Sequence, residues 1–450
     1  MNKKAIIFLT PIVFFIAVNA HSQIISAGES HSLSVCFDGT VKSWGNNFSG
    51  QLGNNGSSNT NQPGAVNNLT NITAVSGGHE FSLALQINGN VWAWGSNVYG
   101  QLGNQTNNQQ NEPTLSSISG VSAISAGYQH ALFLTNGGSI YSTGRNLEGQ
   151  LGIGSFSNTS APTIISSIGN VTAISAGGLH SLALKTDGTV WSWGKNNVGQ
   201  LGNGNLNEQN APVQVSGLTG VIAISAGLYH SMALKNDGTV WCWGLNANGQ
   251  LGTGDYTNAN VPVQVSGLTG VDAIDAGYYH NIAKTSGGEI KAWGNNSNGQ
   301  IGVNSTSTEF TSPQTTSVPS ALHITAGGGH CLVIENTNTG WTFGANLAGQ
   351  LGEGTNLDRL IPVSFSTVCN ILGIEINSSE AHFSLYPNPT KSTITLKSDA
   401  PTDFDLYDVN GTILFSGKII ESTTLSVESI ANGIYFIKTT DGQTIKFIKE

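Results

Sequence analysis

For most of this chain, apolar residues fall in short clumps of four to eight, each bounded by Gly, Asn or Asp. One stretch reads Val221-Ile222-Ala223-Ile224-Ser225-Ala226, then His230-Ser231-Met232-Ala233-Leu234-Lys235, Val240-Trp241-Cys242-Trp243 and Pro262-Val263-Gln264-Val265. Each clump has the length and composition of a β-strand and is too short for a globular helix. Asn236-Asp237-Gly238 and Thr186-Asp187-Gly188 mark hairpin turns, because Gly accepts the positive φ of a tight turn. The pattern predicts about four short antiparallel strands before it starts again.

It starts again at a fixed period. Gly-Gln-Leu-Gly begins at Gly50, Gly100, Gly149, Gly199, Gly249 and Gly349, with Gly-Gln-Ile-Gly at Gly299, giving spacings of 50, 49, 50, 50, 50 and 50. Four strands taken seven times predict an all-β chain: a seven-bladed β-propeller with four-stranded antiparallel blades. Trp44, Trp94, Trp193, Trp243 and Trp293 are expected to fill the space between blades. Thr143 and Phe343 stand at that position in the third and seventh copies, so those interfaces are expected to pack differently. The repeats open at Ile24 and end at Ile361-Pro362-Val363, the piece that normally precedes that opening. A clasp is therefore expected, in which the last strand completes the first blade.

Composition agrees with turn-rich β structure: 58 of 450 residues are Gly and only 9% are charged. Between Ile24 and Phe365 there are 8 Lys and Arg against 16 Asp and Glu. An acidic body without a basic stripe lacks what phosphate neutralisation requires, so no nucleic-acid partner is expected. Residues 1–20 read as a signal peptide, with Lys3 and Lys4, an apolar run and small residues before a cleavage site. The propeller is assigned to residues 21–365, a linker to 366–381, and a small C-terminal β-sandwich to 382–450, where apolar residues alternate between Asn-Gly and Pro turns. Cys36, Cys242, Cys331 and Cys369 have no metal-type spacing and read as core-filling or opportunistically paired thiols.

The run Ser225-Ala226-Gly227-Leu228-Tyr229-His230-Ser231, with Asp237-Gly238-Thr239-Val240-Trp241, Trp243-Gly244 and Gly249-Gln250-Leu251-Gly252, resembles the regulator of chromosome condensation repeat. The resemblance implies a seven-bladed propeller with a narrow channel. Protein binding is a known use of the family: one secreted bacterial relative clamps a β-lactamase with its loop face. From His382 onward, Tyr386-Pro387-Asn388-Pro389, Tyr407-Asp408-Val409-Asn410-Gly411 and Asn432-Gly433-Ile434-Tyr435 resemble the type A C-terminal sorting domain of the Bacteroidetes type IX secretion system. That implies export to the outside or to the outer-membrane surface, with residues 382–450 addressing the secretion machinery.

His31, His130, His180, His230, His280 and His330 occupy one repeated position, which Phe81 takes in the second copy. A symmetric ring supplies one residue in every role, whereas catalysis needs several, and it cannot bring ligands within about 2 Å of one ion. The histidines are therefore read as structural, each donating to the backbone of an adjacent blade. No metal, cofactor or catalytic residue is expected. Departures from the repeat carry more information. Tyr128, Gln129, Tyr229, Tyr278 and Tyr279 lie in the two-residue connection between Ala-Gly and His, at one face of the ring, and tyrosine is enriched at binding hot spots. The expected function is a monomeric exported scaffold binding an extracellular protein or glycan. The alternatives are a lyase or hydrolase using Asp272 and Asp275 beside His280 and, below it, nucleotide exchange on a small GTPase, which the family resemblance raises.

Overall fold

A computed structural model describes residues 24–335, 339–365, 383–386, 390–398, 401–408, 413–439 and 444–449. The signal peptide, the linker, Cys369 and the turns at 387–389 and 409–412 lie outside the described residues. Two compact units emerge, the first ending at Ser366.

The first unit holds seven four-stranded antiparallel sheets, each made from consecutive strands. In the fifth these are Val221–Ala226, His230–Lys235, Val240–Gly244 and Ala259–Gln264. Ser225 pairs with Met232, Met232 with Cys242, and Cys242 with Val263. The first strands of the seven sheets touch one another in a closed cycle, with Ile25–Ala27 meeting His323–Ala326, so they form the innermost ring. Each sheet is therefore a blade.

Second strands are buried on both faces because a blade lies on either side. Met232, Leu234, Val240 and Leu251 of blade 5, for example, pack with Ile274 and Trp293 of blade 6. All five interface tryptophans are essentially inaccessible. Trp293 Nε1 donates to Gln250 O at 3.0 Å, and Trp44 donates to Gln350 O at 2.9 Å across the closure. The last Gly of Gly-Gln-Leu-Gly makes room for that ring: a Cβ on Gly152, whose φ is +69°, would lie 2.7 Å from Trp193 Nε1. The two exceptional interfaces do differ. The one hydroxyl hydrogen of Thr143 has Gly100 O at 2.9 Å and Thr159 O at 2.8 Å as acceptors, whereas Phe343 offers no donor.

The expected clasp is not formed. Arg359–Phe365 pairs with Gly340–Gly344, Thr342 opposite Val363, and completes the seventh blade. The period alone cannot say where one blade is cut from the next. Connectors such as 215–220, with positive-φ Gly217 and Gly220, carry the chain between blades, while the longer loop after Trp-Gly lies within a blade. Closure instead repeats the internal interfaces: Phe365 packs against Trp44, with ring centroids 5.6 Å apart, in the place where Val265 packs with Trp293.

Cys36 is disulfide-bonded, and Cys242 and Cys331 are buried free thiols. The second unit places a three-stranded sheet (Phe383–Tyr386, Thr393–Ser398, Ser422–Ser426) with a four-stranded one (Ile413–Ile419, Thr402–Tyr407, Gly433–Thr439, Thr444–Lys449). Ile394 and Leu396 of one pack with Phe404, Leu406, Ile437 and Phe447 of the other.

Candidate functional site

Chain direction gives the propeller two distinct faces. The connection after the first strand and the long loop after the third lie at one end, where Asn46 N donates to Ser30 O at 2.8 Å. We call this the upper face. Hairpin turns and inter-blade connectors occupy the other. A buried Asn pins each long loop: Asn246 Oδ1 accepts from Leu251 N at 2.9 Å and its Nδ2 donates to Asp255 O at 3.0 Å. The upper loops are thus held to the blades.

The six histidines are fully buried, and the partner each one meets corrects the expectation of a backbone acceptor. Nε2 of His31, His130, His180 and His330 lies 2.9 Å from the hydroxyl of Ser82, Ser181, Ser231 and Ser32, each on the next blade. His230 meets Asn281 Oδ1 at 2.7 Å, and His280 meets Cys331 Sγ at 3.2 Å. Ser181 and Ser231 in turn donate to Gln150 O and Gln200 O. A hydroxyl whose proton is committed must accept at its oxygen, so Nε2 carries the imidazole hydrogen and Nδ1 is left bare. Burial forbids a second proton, pushing these imidazoles down to about 3, or about 4 for His230, where the Asn281 bond works the other way. The interface between blades 2 and 3 omits both partners together: Phe81 of blade 2 packs with Ala131 of blade 3, and neither is exposed.

An inner ring performs a second structural task. Ser76, Ser125, Ser175 and Ser225 accept from the backbone N–H of residues 126, 176, 226 and 276 on the next blade, at 2.9–3.0 Å. Asp275 takes this position in blade 6. It accepts from Ala326 N and Ser225 Oγ, both at 2.9 Å, while burial pushes its carboxyl up against those bonds. Asp272 is exposed and paired with Lys284 at 2.6 Å, and His280 is committed to Cys331. The three residues of the enzymatic alternative are thus not assembled around one point. Among the described residues no group of three or more His, Cys, Asp or Glu could hold a metal ion.

At the upper mouth of the inner ring, two residues per blade remain variable. The first of each pair points to the axis: Tyr128 of blade 3 and Tyr278 of blade 6 stand three blades apart in sequence order, yet their rings lie 6.1 Å apart. His79 stacks on Tyr128 at 3.9 Å, and its Nε2 lies 2.6 Å from Glu29 Oε2. The second residues stand one step outward, with Tyr229 and Tyr279 at 6.5 Å and Gln129 in the same slot of blade 3. All five predicted residues are half-buried. The Tyr278 hydroxyl is shielded and has no partner. Burial, followed by Glu29, pushes the Tyr128 and Tyr278 phenols up. The tyrosines thus gather around the axis. Glu29, His79 and Glu80 complete the group. They occupy the same two slots in blades 1 and 2, where no tyrosine marks them.

A family model described as the RCC1-like domain matches residues 7–227. Models of the regulator of chromosome condensation (RCC1) repeat match 221–250 with 271–300, and 237–283 with 288–334. The secretion system C-terminal sorting domain matches residues 384–450. No curated protein matches the chain in sequence. Among solved structures, human WBSCR16 is 24% identical over 73% of this chain and 94% of its own, with a TM-score of 0.67. Prp20p from Saccharomyces cerevisiae is 22% identical over 74% of this chain and 87% of its own, with a TM-score of 0.68. Yeast RCC1 (Prp20), solved with Kap60, is 20% identical over 77% and 86%, with a TM-score of 0.67. At these identities the likeness carries the fold.

Proposed function

Because the chain belongs to the RCC1-like repeat propellers and ends in a type IX sorting domain, we propose that it is an exported, non-enzymatic scaffold that binds its partner on the upper face. The sorting domain marks it for type IX export, to the cell surface or beyond. One observation carries the reading. The repeated polar residues are spent on inter-blade hydrogen bonds, whereas four half-exposed tyrosines that break the repeat meet at one mouth. Rigid aromatic groups held on an ordered frame lose little entropy on binding, which suits recognition of a protein or glycan. Gsp1p and histones, named for Prp20p, are not carried over: the identity is 22% and this chain is exported.

The test is binding of the purified full chain to extracellular proteins and to a glycan array, with Tyr229→Ala/Tyr279→Ala beside it. We expect the double variant to keep its fold and lose at least about tenfold in affinity, in line with hot-spot truncations. Unchanged binding would remove the upper face from the reading. Turnover in a lyase or hydrolase panel, abolished by Asp275→Asn, would replace a scaffold with an enzyme.

A further inference from the structure

The upper mouth is electronegative as well as aromatic. Glu29 and Glu80 reach it from blades 1 and 2, and among the described residues their only ion-pair partner is His79, at 2.6 and 4.0 Å. Ser49 Oγ also donates to Glu80, at 3.2 Å. The two arginines of this face are already matched, Arg145 by Glu148 at 2.5 Å and Arg359 by Glu353 at 2.9 Å. Lys195, which has no ion pair among the described residues, stands beside the mouth on blade 4, whereas the two glutamates stand on blades 1 and 2. Aromatic faces beside carboxylates attract a cation twice over, through the ring quadrupole and through charge, in a setting that the blades partly shield from water.

Around this centre the long loops carry an asymmetric apolar rim. The residue after each pinned Asn is Leu347, Phe48, Val98 and Leu147 in blades 7, 1, 2 and 3, at 55–80% exposure, whereas blades 4 to 6 have Asn197, Ala247 and Ser297. Phe156, Leu206 and Tyr256, about half exposed at a later position of the same loops, extend the rim over blades 3 to 5. Large apolar groups gathered at one end of a water-soluble ring are the mark of a protein-binding surface, whereas scattered single ones need no explanation.

We infer that the ligand is a protein that inserts a cationic side chain, Arg or Lys, among Tyr128, Tyr278, Glu29 and Glu80 while apolar groups around it pack on the rim. The inference rests on the upper-face reading and narrows it, because an uncharged glycan would use the tyrosines without needing the carboxylates.

The experiment uses the full chain and calorimetric titration with acetylated heptapeptides carrying a central Arg, Lys or citrulline between Leu and Phe residues, beside a panel of neutral oligosaccharides. Arg and Lys peptides are expected to bind about tenfold tighter than citrulline. Glu29→Gln/Glu80→Gln should erase that preference, and salt raised from about 50 to about 500 mM should reduce it, since screening acts on exposed charge. A thermal scan of the variant shows whether its fold is intact, and the salt series needs no variant. Peptides that bind equally whatever the central residue, or oligosaccharides that bind where peptides do not, each with loss in Tyr229→Ala, would overturn the cation and leave the upper face standing. No binding by any probe, or binding indifferent to both sets of variants, would overturn both.

Discussion

Blade 2 provides a natural control for the histidine interlock, and it leads to a sharp expectation for His180 and Ser231. In Ser231→Ala the His180 Nε2–H loses its acceptor in a dry interface, at a cost of about 1 to 3 kcal/mol. In His180→Phe a larger ring is pressed against the retained hydroxyl, and overpacking costs about the same. The double variant recreates Phe81 facing Ala131 and removes donor, acceptor and excess volume together, which is nearly neutral. The cradle already suits a phenyl ring: a Cβ on Gly78 would lie 2.3 Å from Phe81 Cε1, much as one on Gly177 would lie 2.6 Å from His180 Cε1. The double variant should therefore be about 2 kcal/mol or more better than the sum of the singles, a coupling of the size seen for contacting residues. Urea unfolding followed by tryptophan fluorescence reads it directly, since Trp193 and Trp243 are buried beside the pair. Additivity within about 0.5 kcal/mol would refute the interlock.

Four further outcomes follow. The folded imidazoles are depressed from 6.5 to about 3 or 4, so the unfolded chain binds more protons below pH 6.5 and stability falls as pH drops. Below pH 6.5 each histidine contributes about 1.4 kcal/mol per pH unit, so the urea midpoint should hold above that pH and fall steeply below it; a flat profile would mean the imidazoles are not buried neutral. For Asp275 the sign reverses: its carboxyl is raised, so ionisation weakens the fold as pH rises, and Asp275→Ser should gain stability over wild type increasingly above the usual carboxylate range. Trp293→Ala should cost about 3 to 5 kcal/mol in the same urea assay. Phe365→Ala should weaken ring closure by a similar amount, detectable as earlier hydrogen exchange in blades 1 and 7, since Phe365 packs on Trp44.

Blade number, strand content and the separate C-terminal sheets were legible in the sequence because they follow from period and composition, which a single chain displays in full. The role of the histidines was half legible. Burial and repetition marked them as structural, but the partner is a hydroxyl one residue past the next histidine, and only the inter-blade register brings His180 to Ser231. The clasp was misjudged because the repeat looks the same wherever it is cut. The mouth was legible as a set of variable slots, yet sequence spacing measures steps around a ring and not distances across it. Tyr128 and Tyr278 are therefore near neighbours that no local pattern joins, and Glu29 with His79 gains meaning only once the axis is known.

Each blade is one uninterrupted length of chain, and the last meets the first through the same kinds of contact that join the others. Gain or loss of a repeat by unequal recombination would then add or remove a whole blade without stranding a partner strand. The gene can vary its ring one unit at a time, each new unit bringing its own pair of mouth residues. The same geometry allows new termini at any lower connector, once the original ends are joined.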